Sequence, residues 1–80
     1  MLNLFKVNTY HLYEFINNKL VPVAAYKKRN IIDALLDHVF PFELEPNTMK
    51  IEKRTDDYIA YNFNYDGELR RFLLSDKEIK

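Results

Sequence analysis

The chain has 80 residues, of which 48% are hydrophobic, and its twelve basic residues balance its twelve acidic residues. This length holds one hydrophobic core, so residues 1–80 are expected to form a single small domain. Zero net charge disfavours a dedicated nucleic-acid binder, which usually carries a basic excess. The absence of cysteine excludes a disulfide framework and a thiolate metal site.

Neither export nor membrane insertion is expected from the sequence. The first residues, MLNLFK, lack the basic start, the apolar stretch and the cleavage site of a signal peptide. No window approaches the roughly 18 consecutive apolar residues of a membrane-spanning helix. We therefore expect a cytoplasmic protein without a membrane partner.

The N-terminal part of the chain predicts a β-hairpin. From Leu4 to Phe15, the odd-numbered positions 5 to 15 carry Phe, Val, Thr, His, Tyr and Phe, which would share one face of a strand. Asn17 and Asn18 tolerate the positive φ angles of a two-residue turn. A second strand follows from Lys19 to Tyr26, and Pro22 places it at a sheet edge because proline cannot donate a ladder hydrogen bond.

Part of this segment also fits a helix. From Thr9 to Leu20 the apolar residues Leu12, Phe15, Ile16 and Leu20 would form one stripe. We favour the hairpin because aromatic and β-branched residues dominate the segment.

A helix is predicted between Lys28 and Phe40. The apolar residues recur there at helical spacing, namely Ile31, Ile32, Leu35, Leu36, Val39 and Phe40. We expect the Asp33 side chain to reach back toward the helix start and Pro41 to end the helix. His38 falls in the last turn, where a positive charge would suit the helix dipole.

The C-terminal half predicts a three-stranded antiparallel meander, reached through a loop from Pro41 to Thr48 under which Phe42 and Leu44 tuck. Asp66-Gly67 between two alternating runs is typical of a type I′ hairpin turn. The expected register sets Tyr65 opposite Glu68, Phe63 opposite Arg70, Tyr61 opposite Phe72, and Ile59 opposite Leu74. A loop at Thr55-Asp56-Asp57 then sets Ile51 opposite Tyr61 and Met49 opposite Phe63.

These elements predict an α+β fold with a single helix packed on one face of a mostly antiparallel sheet of about five strands, in the order β-β-α-β-β-β. The apolar face of the meander and the apolar stripe of the helix form its core. The meander contributes Ile59, Tyr61, Phe63, Phe72 and Leu74. A polar tail is expected from about Ser75.

The sequence contains few of the residue patterns on which catalytic sites depend, so we expect no enzyme activity, no cofactor and no metal site. His11 and His38 are not in a metal-ligand spacing. Ser75 is the only serine, and no pattern of histidine and acid near it suggests a nucleophilic triad. The chain has one glycine, which excludes a glycine-rich phosphate-binding loop. The acidic pairs Asp33 with Asp37 and Glu43 with Glu45 are expected to be solvated charges.

The second face of the meander is the predicted partner-binding surface. A single helix cannot cover both sides of a sheet, so this face meets water or a partner. Its mixture of Tyr, Arg, Asn and Leu is typical of interface centres. The predicted partner-binding residues are Tyr58, Asn62, Asn64, Leu69, Arg71 and Leu73, and Ala60 lies on the same face.

Two alternatives stay open at this stage. A nucleic-acid-binding accessory protein would use Lys50, Lys53, Arg54 and Arg71, with tyrosines stacking on bases. Arg70 and Arg71 point to opposite faces, so only one of them joins such a patch. A homodimer through a free sheet edge is the other alternative.

The leading expectation is a non-enzymatic protein-binding module that modulates or inhibits a host factor. Phe, Tyr, Asn, Lys and Ile, which A/T-rich codons encode, make up 34 of the 80 residues, and this indicates a low-GC genome. Phages and mobile elements of such genomes encode many compact accessory proteins, and anti-CRISPR and other anti-defence proteins are similar in size and composition. No motif is shared with them.

Overall fold

A computed structural model describes residues 7–44 and 48–79 of the chain. Its elements are β1 (Asn8–Ile16), β2 (Lys19–Lys28), α1 (Ile31–Val39), a 3₁₀ helix (Phe40–Phe42), β3 (Lys50–Arg54), β4 (Tyr58–Tyr65) and β5 (Glu68–Ser75). The strands form one antiparallel sheet in the order β2-β1-β5-β4-β3. The predicted α+β class and the order of the elements are confirmed.

The first hairpin is confirmed, and the competing helix is wrong. Asn17 and Asn18 both have positive φ, at 53° and 64°, and join β1 directly to β2. β2 is an edge strand, and its Pro22 lies opposite Tyr13, where the register of the pair shifts. Residues 4–6, which were predicted to begin the first strand, lie outside the described residues.

β1 joins the hairpin to the meander by pairing with β5, so that Leu12 lies opposite Leu74. The odd-numbered residues of β1 do share one face, as predicted, but this face points away from the helix. Tyr10 and Leu12, on the even-numbered face, are buried in the core instead.

The turn at Asp66 and Gly67 sets the register of the two longest meander strands. Both residues have positive φ, at 55° and 80°, as a type I′ turn requires. Every predicted pair across β4 and β5 is observed, including Tyr61 opposite Phe72.

The core lies between α1 and the sheet. All five meander residues predicted for the core have exposed fractions of 1% or less, and the helix adds Ala34 and Leu35. The Phe72 ring stacks between Tyr61 and Phe63 at centroid distances of 5.6 and 5.1 Å. Phe42 and Leu44 pack against this core from the loop, as predicted.

The start of α1 differs from the prediction in one detail. The capping side chain is Asn30, whose Oδ1 accepts a hydrogen bond of 2.9 Å from the backbone N–H of Asp33. The N–H groups of the first helical turn have no partner within the helix, and the N–H of Asp33 is one of them. A cap residue stands just before this turn, so its short side chain can accept from such a group. The α-helix ends at Val39, and Pro41 lies in the 3₁₀ turn that follows.

His38 is a buried residue in the last turn of the helix, where a positive charge would have suited the helix dipole. Its Nδ1 lies 2.6 Å from the Tyr61 hydroxyl, and its ring meets the Phe72 ring edge-on at 4.5 Å. Burial, followed by the positive charge of Arg70, lowers the pKa of His38 to about 4, although Glu14 acts in the opposite direction. Burial also raises the pKa of Tyr61, so the phenol keeps its proton and can donate to His38.

Arg70 closes the core at the end of the sheet where α1 terminates. Its guanidinium forms two hydrogen bonds of 2.9 Å with the Glu14 carboxylate, and it lies 5.4 Å from the Phe72 ring centre and 5.6 Å from that of Phe42. These contacts tie β5 to β1 and cover the aromatic core.

Gly67→Val should destabilise the domain by about 1 to 2 kcal/mol, because a β-branched residue is strained at positive φ. Apart from Gly67 and the two residues next to it, no heavy atom lies within 4 Å of the position that a Cβ would take there, so the loss would come from the backbone and not from a clash. Asp66→Asn is the matched control and should be nearly neutral, since both residues suit that position. Urea denaturation measures both effects. Equal stability of the valine variant and the wild type would contradict the turn assignment.

Acid should weaken the fold through His38. In the unfolded chain the imidazole has its ordinary pKa near 6.5, so between pH 6.5 and about 4 the unfolded state binds more protons than the folded state. The free energy of unfolding should therefore fall as the pH drops through this window, by at most about 1.4 kcal/mol per pH unit. His38→Gln, which can still accept from Tyr61, should remove this dependence. Denaturation at several pH values tests it, and an unchanged slope in the variant would contradict the assignment.

Candidate protein-binding site

The candidate site lies on the side of the sheet opposite α1, which we call the open face. Alternation along the strands places Tyr58, Ala60 and Asn62 of β4 there, with Arg71 and Leu73 of β5 beside them. Except for the exposed Arg71, these side chains are half-buried. The prediction that this face is not covered by the helix is therefore confirmed.

The C-terminal residues fold back over one part of the open face. The backbone N–H of Ile79 donates a hydrogen bond of 2.7 Å to the Tyr13 hydroxyl, and the N–H of Lys77 donates one of 3.1 Å to Ser75 Oγ. Tyr13 and Ser75 are consequently buried. Residues 76–79 thus form a wall beside the exposed part of the sheet.

A groove of about 450 Å³ remains between this wall and strand β3. Leu73 and the small side chain of Ala60 lie opposite each other across β5 and β4 and supply its apolar middle. Its lining consists of Phe15, Glu52, Lys53, Tyr58, Ala60, Arg71, Leu73, Ser75 and Ile79. The groove therefore combines aromatic and aliphatic surface with charged groups.

Arg71 is held in a fixed orientation at the groove. Its Nε and Nη2 donate to the two oxygens of the Glu52 carboxylate at 3.0 and 2.7 Å. Asn62 Nδ2 donates to the same carboxylate at 2.8 Å, and the guanidinium lies 5.3 Å from the Phe15 ring centre. Planar guanidinium groups suit this combination of bidentate pairing and ring stacking.

The charge of Glu52 is stabilised by these partners. The hydrogen bonds from Arg71 and from Asn62 lower the pKa of Glu52 to about 2, and the same ion pair raises the pKa of Arg71. The pair is exposed, with side-chain exposures of 51% for Arg71 and 29% for Glu52. It therefore orients the arginine more than it stabilises the fold.

Glu52 owes its position to an irregularity in β3. Ile51 lies opposite Tyr61, as predicted, but the next pair is Lys53 with Ala60, so Glu52 is the extra residue of a β-bulge. Met49 lies outside the ladder, and its side chain packs against the core. The prediction of regular alternation from Met49 to Arg54 is therefore wrong at this point, because it did not include the bulge.

The structure divides the predicted partner-binding residues into two groups. Tyr58, Arg71 and Leu73 line the groove, and Asn62 supports it through Glu52. Asn64 and Leu69 form a pair nearer the hairpin turn and are exposed outside the groove.

Four lining residues were not among the predicted site residues, namely Phe15, Glu52, Ser75 and Ile79. Ser75 lies opposite Tyr58 at the end of β5. Phe15 follows from the odd-numbered pattern of β1 once β1 is known to pair with β5. Glu52 depends on the bulge, and Ile79 depends on the fold-back of a segment that resembles a polar tail. Of these residues, only Phe15 belongs to a pattern that is visible in the sequence, the odd-numbered face of β1.

Three of the four basic residues of the nucleic-acid alternative share the open face, and Arg54 does not. Lys50 and Lys53 lie opposite Asn62 and Ala60, on the open-face side of β3, whereas Arg54 lies opposite the buried Ile59. Arg71 is paired with Glu52. The carboxylate thus lies among the cations that would have to contact phosphates.

Both sheet edges carry features that oppose strand pairing between molecules. β3 is five residues long, fully exposed, bulged and rich in charge. β2 is longer and carries Pro22. Short edges, charges, bulges and prolines are the usual means of protecting a sheet edge.

No helix within the described residues is long and apolar enough to cross a bilayer. Within the same residues, no group of three or more His, Asp or Glu side chains has an arrangement that would hold a metal ion. No family model, curated protein or solved structure matches the chain, so its function has to be inferred from the geometry of the groove.

The Glu52 carboxylate should titrate near pH 2, well below an ordinary glutamate. Arg71→Gln removes the first cause of this shift and should move the midpoint upward, toward the usual value near 4.3. Carboxyl ¹³C chemical shifts followed over pH measure both midpoints. A normal midpoint in the wild type would mean that the Arg71 pair is not formed in solution.

Proposed function

We propose that this protein is a non-enzymatic binding module that docks a protein partner through the groove on its open face. The observation that carries the proposal is the fixed Arg71 beside a half-exposed apolar groove. Arginine and tyrosine next to apolar surface are the residues that dominate binding energy in protein interfaces.

The orientation of Arg71 favours tight association. A free arginine side chain loses conformational entropy when a partner immobilises it, and this loss weakens binding. Glu52, Asn62 and the Phe15 ring hold the guanidinium before any partner arrives. The N–H groups of Arg71 that Glu52 does not use are available to donate hydrogen bonds to a carbonyl or carboxylate of the partner.

The apolar part of the groove supplies the complementary contribution. Leu73, Ala60 and Tyr58 present carbon surface that a side chain of the partner would remove from water. Ala60 has a small side chain, which leaves room for a partner side chain above β4 and β5. An aliphatic or aromatic side chain of the partner would fit there.

We further propose that the partner is a host protein and that the module modulates or inhibits it, as accessory proteins of phages and mobile elements do. The support for this part is compositional: the chain is small, its residues indicate a low-GC genome, and residue types needed for catalysis are scarce. The nucleic-acid alternative has less support, because Glu52 compensates the charge of Arg71.

Filling the groove should abolish partner binding without unfolding the domain. Ala60→Phe occupies the groove from the open side, and Arg71→Glu reverses its fixed charge. Val23→Ala, at an exposed position of the edge strand β2, is the matched control. A candidate partner is first captured from a lysate of a low-GC bacterium, and the purified candidate is then titrated calorimetrically.

We expect both groove variants to lose affinity by about tenfold or more, while Val23→Ala binds like the wild type. Circular dichroism establishes that each variant is folded. If both groove variants kept the affinity of the wild type, docking through the open face would be refuted.

A further inference from the structure

A second apolar surface lies on the opposite side of the molecule, at the C-terminal end of α1. Leu36 and Phe40 are four residues apart and point away from the core, with exposed fractions of 54% and 81%. They line a groove of about 340 Å³ together with Val39, Glu43 and Leu44. We call this surface the helix-end patch.

The chain holds Phe40 in this exposed position by its backbone. Glu43 adopts a left-handed conformation, with φ at 52°, and its N–H donates a hydrogen bond of 3.1 Å to the Phe40 carbonyl. A non-glycine residue in this region is strained, and such strain concentrates at functional sites. The exposed phenylalanine is therefore fixed by a local turn that itself carries a conformational cost.

The charges at the helix-end patch have one predominant sign. Glu43 is the one charged side chain among the residues that line the groove. Asp33 lies three residues before Leu36 and seven before Phe40, on the same side of the helix. Asp37 lies three residues before Phe40, but its charge is compensated by Lys28 of β2 at 2.7 Å.

We infer that the helix-end patch is a second docking surface, and that it takes an apolar protein segment that carries lysine or arginine. The acidic side chains complement such a segment in charge, and the groove receives its aliphatic side chains. Two copies of this patch packed about a two-fold axis would bring their Glu43 side chains into one interface, which disfavours a second copy as the occupant. Anionic lipid headgroups are disfavoured for the same reason.

This surface has a role distinct from that of the open face. The lining of the open-face groove carries Lys53 together with the ion pair of Arg71 and Glu52, so its net charge is positive, whereas Glu43 is the charged residue that lines the helix-end groove. The two sites lie on opposite sides of the sheet and have opposite charge preference. The domain is therefore able to hold two different protein segments at once.

The test uses two fluorescein-labelled amphipathic peptides, one composed of leucine and lysine and one of leucine and glutamate. We expect the lysine peptide to bind the full-length protein and the glutamate peptide to bind at least about tenfold more weakly. Phe40→Ser and Glu43→Lys should each weaken binding of the lysine peptide by about tenfold. Leu69→Ser is the matched control, because Leu69 is 59% exposed on the opposite face, and it should have no effect.

Backbone amide shifts locate the bound peptide. Changes confined to α1 and residues 40–44 support the inference, and changes on the open face overturn it. Equal binding of both peptides, or unchanged binding by Phe40→Ser, would also overturn it. Light scattering tests the remaining occupant: a wild-type dimer that Phe40→Ser converts to a monomer would identify a second copy and refute the inference.

Discussion

The register of β4 against β5 is the constraint on which the rest of the structure depends. A strand alternates its side chains between two faces, so a slip of one residue would exchange the buried and exposed sets. The turn at Asp66 and Gly67 fixes this register by its positive φ angles. With the register fixed, Phe72 enters the core and Leu73 enters the groove, so one local turn decides which residues of β4 and β5 belong to the core and which to the candidate site.

Local sequence signals predicted those parts of the fold that local physics determines. The Asn17-Asn18 and Asp66-Gly67 turns, the helical period and the alternation of the meander each act over a few residues. The pairing of β1 with β5 joins residues some sixty positions apart, and no local pattern encodes it. That pairing decides which face of β1 is buried, so the face of Phe15 also had to await the structure.

The candidate site was predictable in outline and not in detail. Alternation placed Tyr58, Arg71 and Leu73 on the open face, because the residues of a strand alternate between its two faces whatever strands lie beside it. The bulge at Glu52 and the fold-back of Ile79 depend on tertiary contacts. The charge state of His38 was not predictable for a related reason. Its place in the last helical turn suits a positive charge, whereas burial and the charge of Arg70 lower its pKa.

Arg70 and Arg71 are neighbours in the chain, yet each reaches a glutamate on a different face and a different strand. Arg70 binds Glu14 of β1, and Arg71 reaches across β4 to Glu52 of β3. This arrangement constrains how the lineage of this protein can evolve. A substitution at either arginine removes the contact on one face and leaves the other in place. An insertion or deletion within β5 would exchange the two faces, losing both contacts together with the core, so the length of this strand is more strongly constrained than its composition.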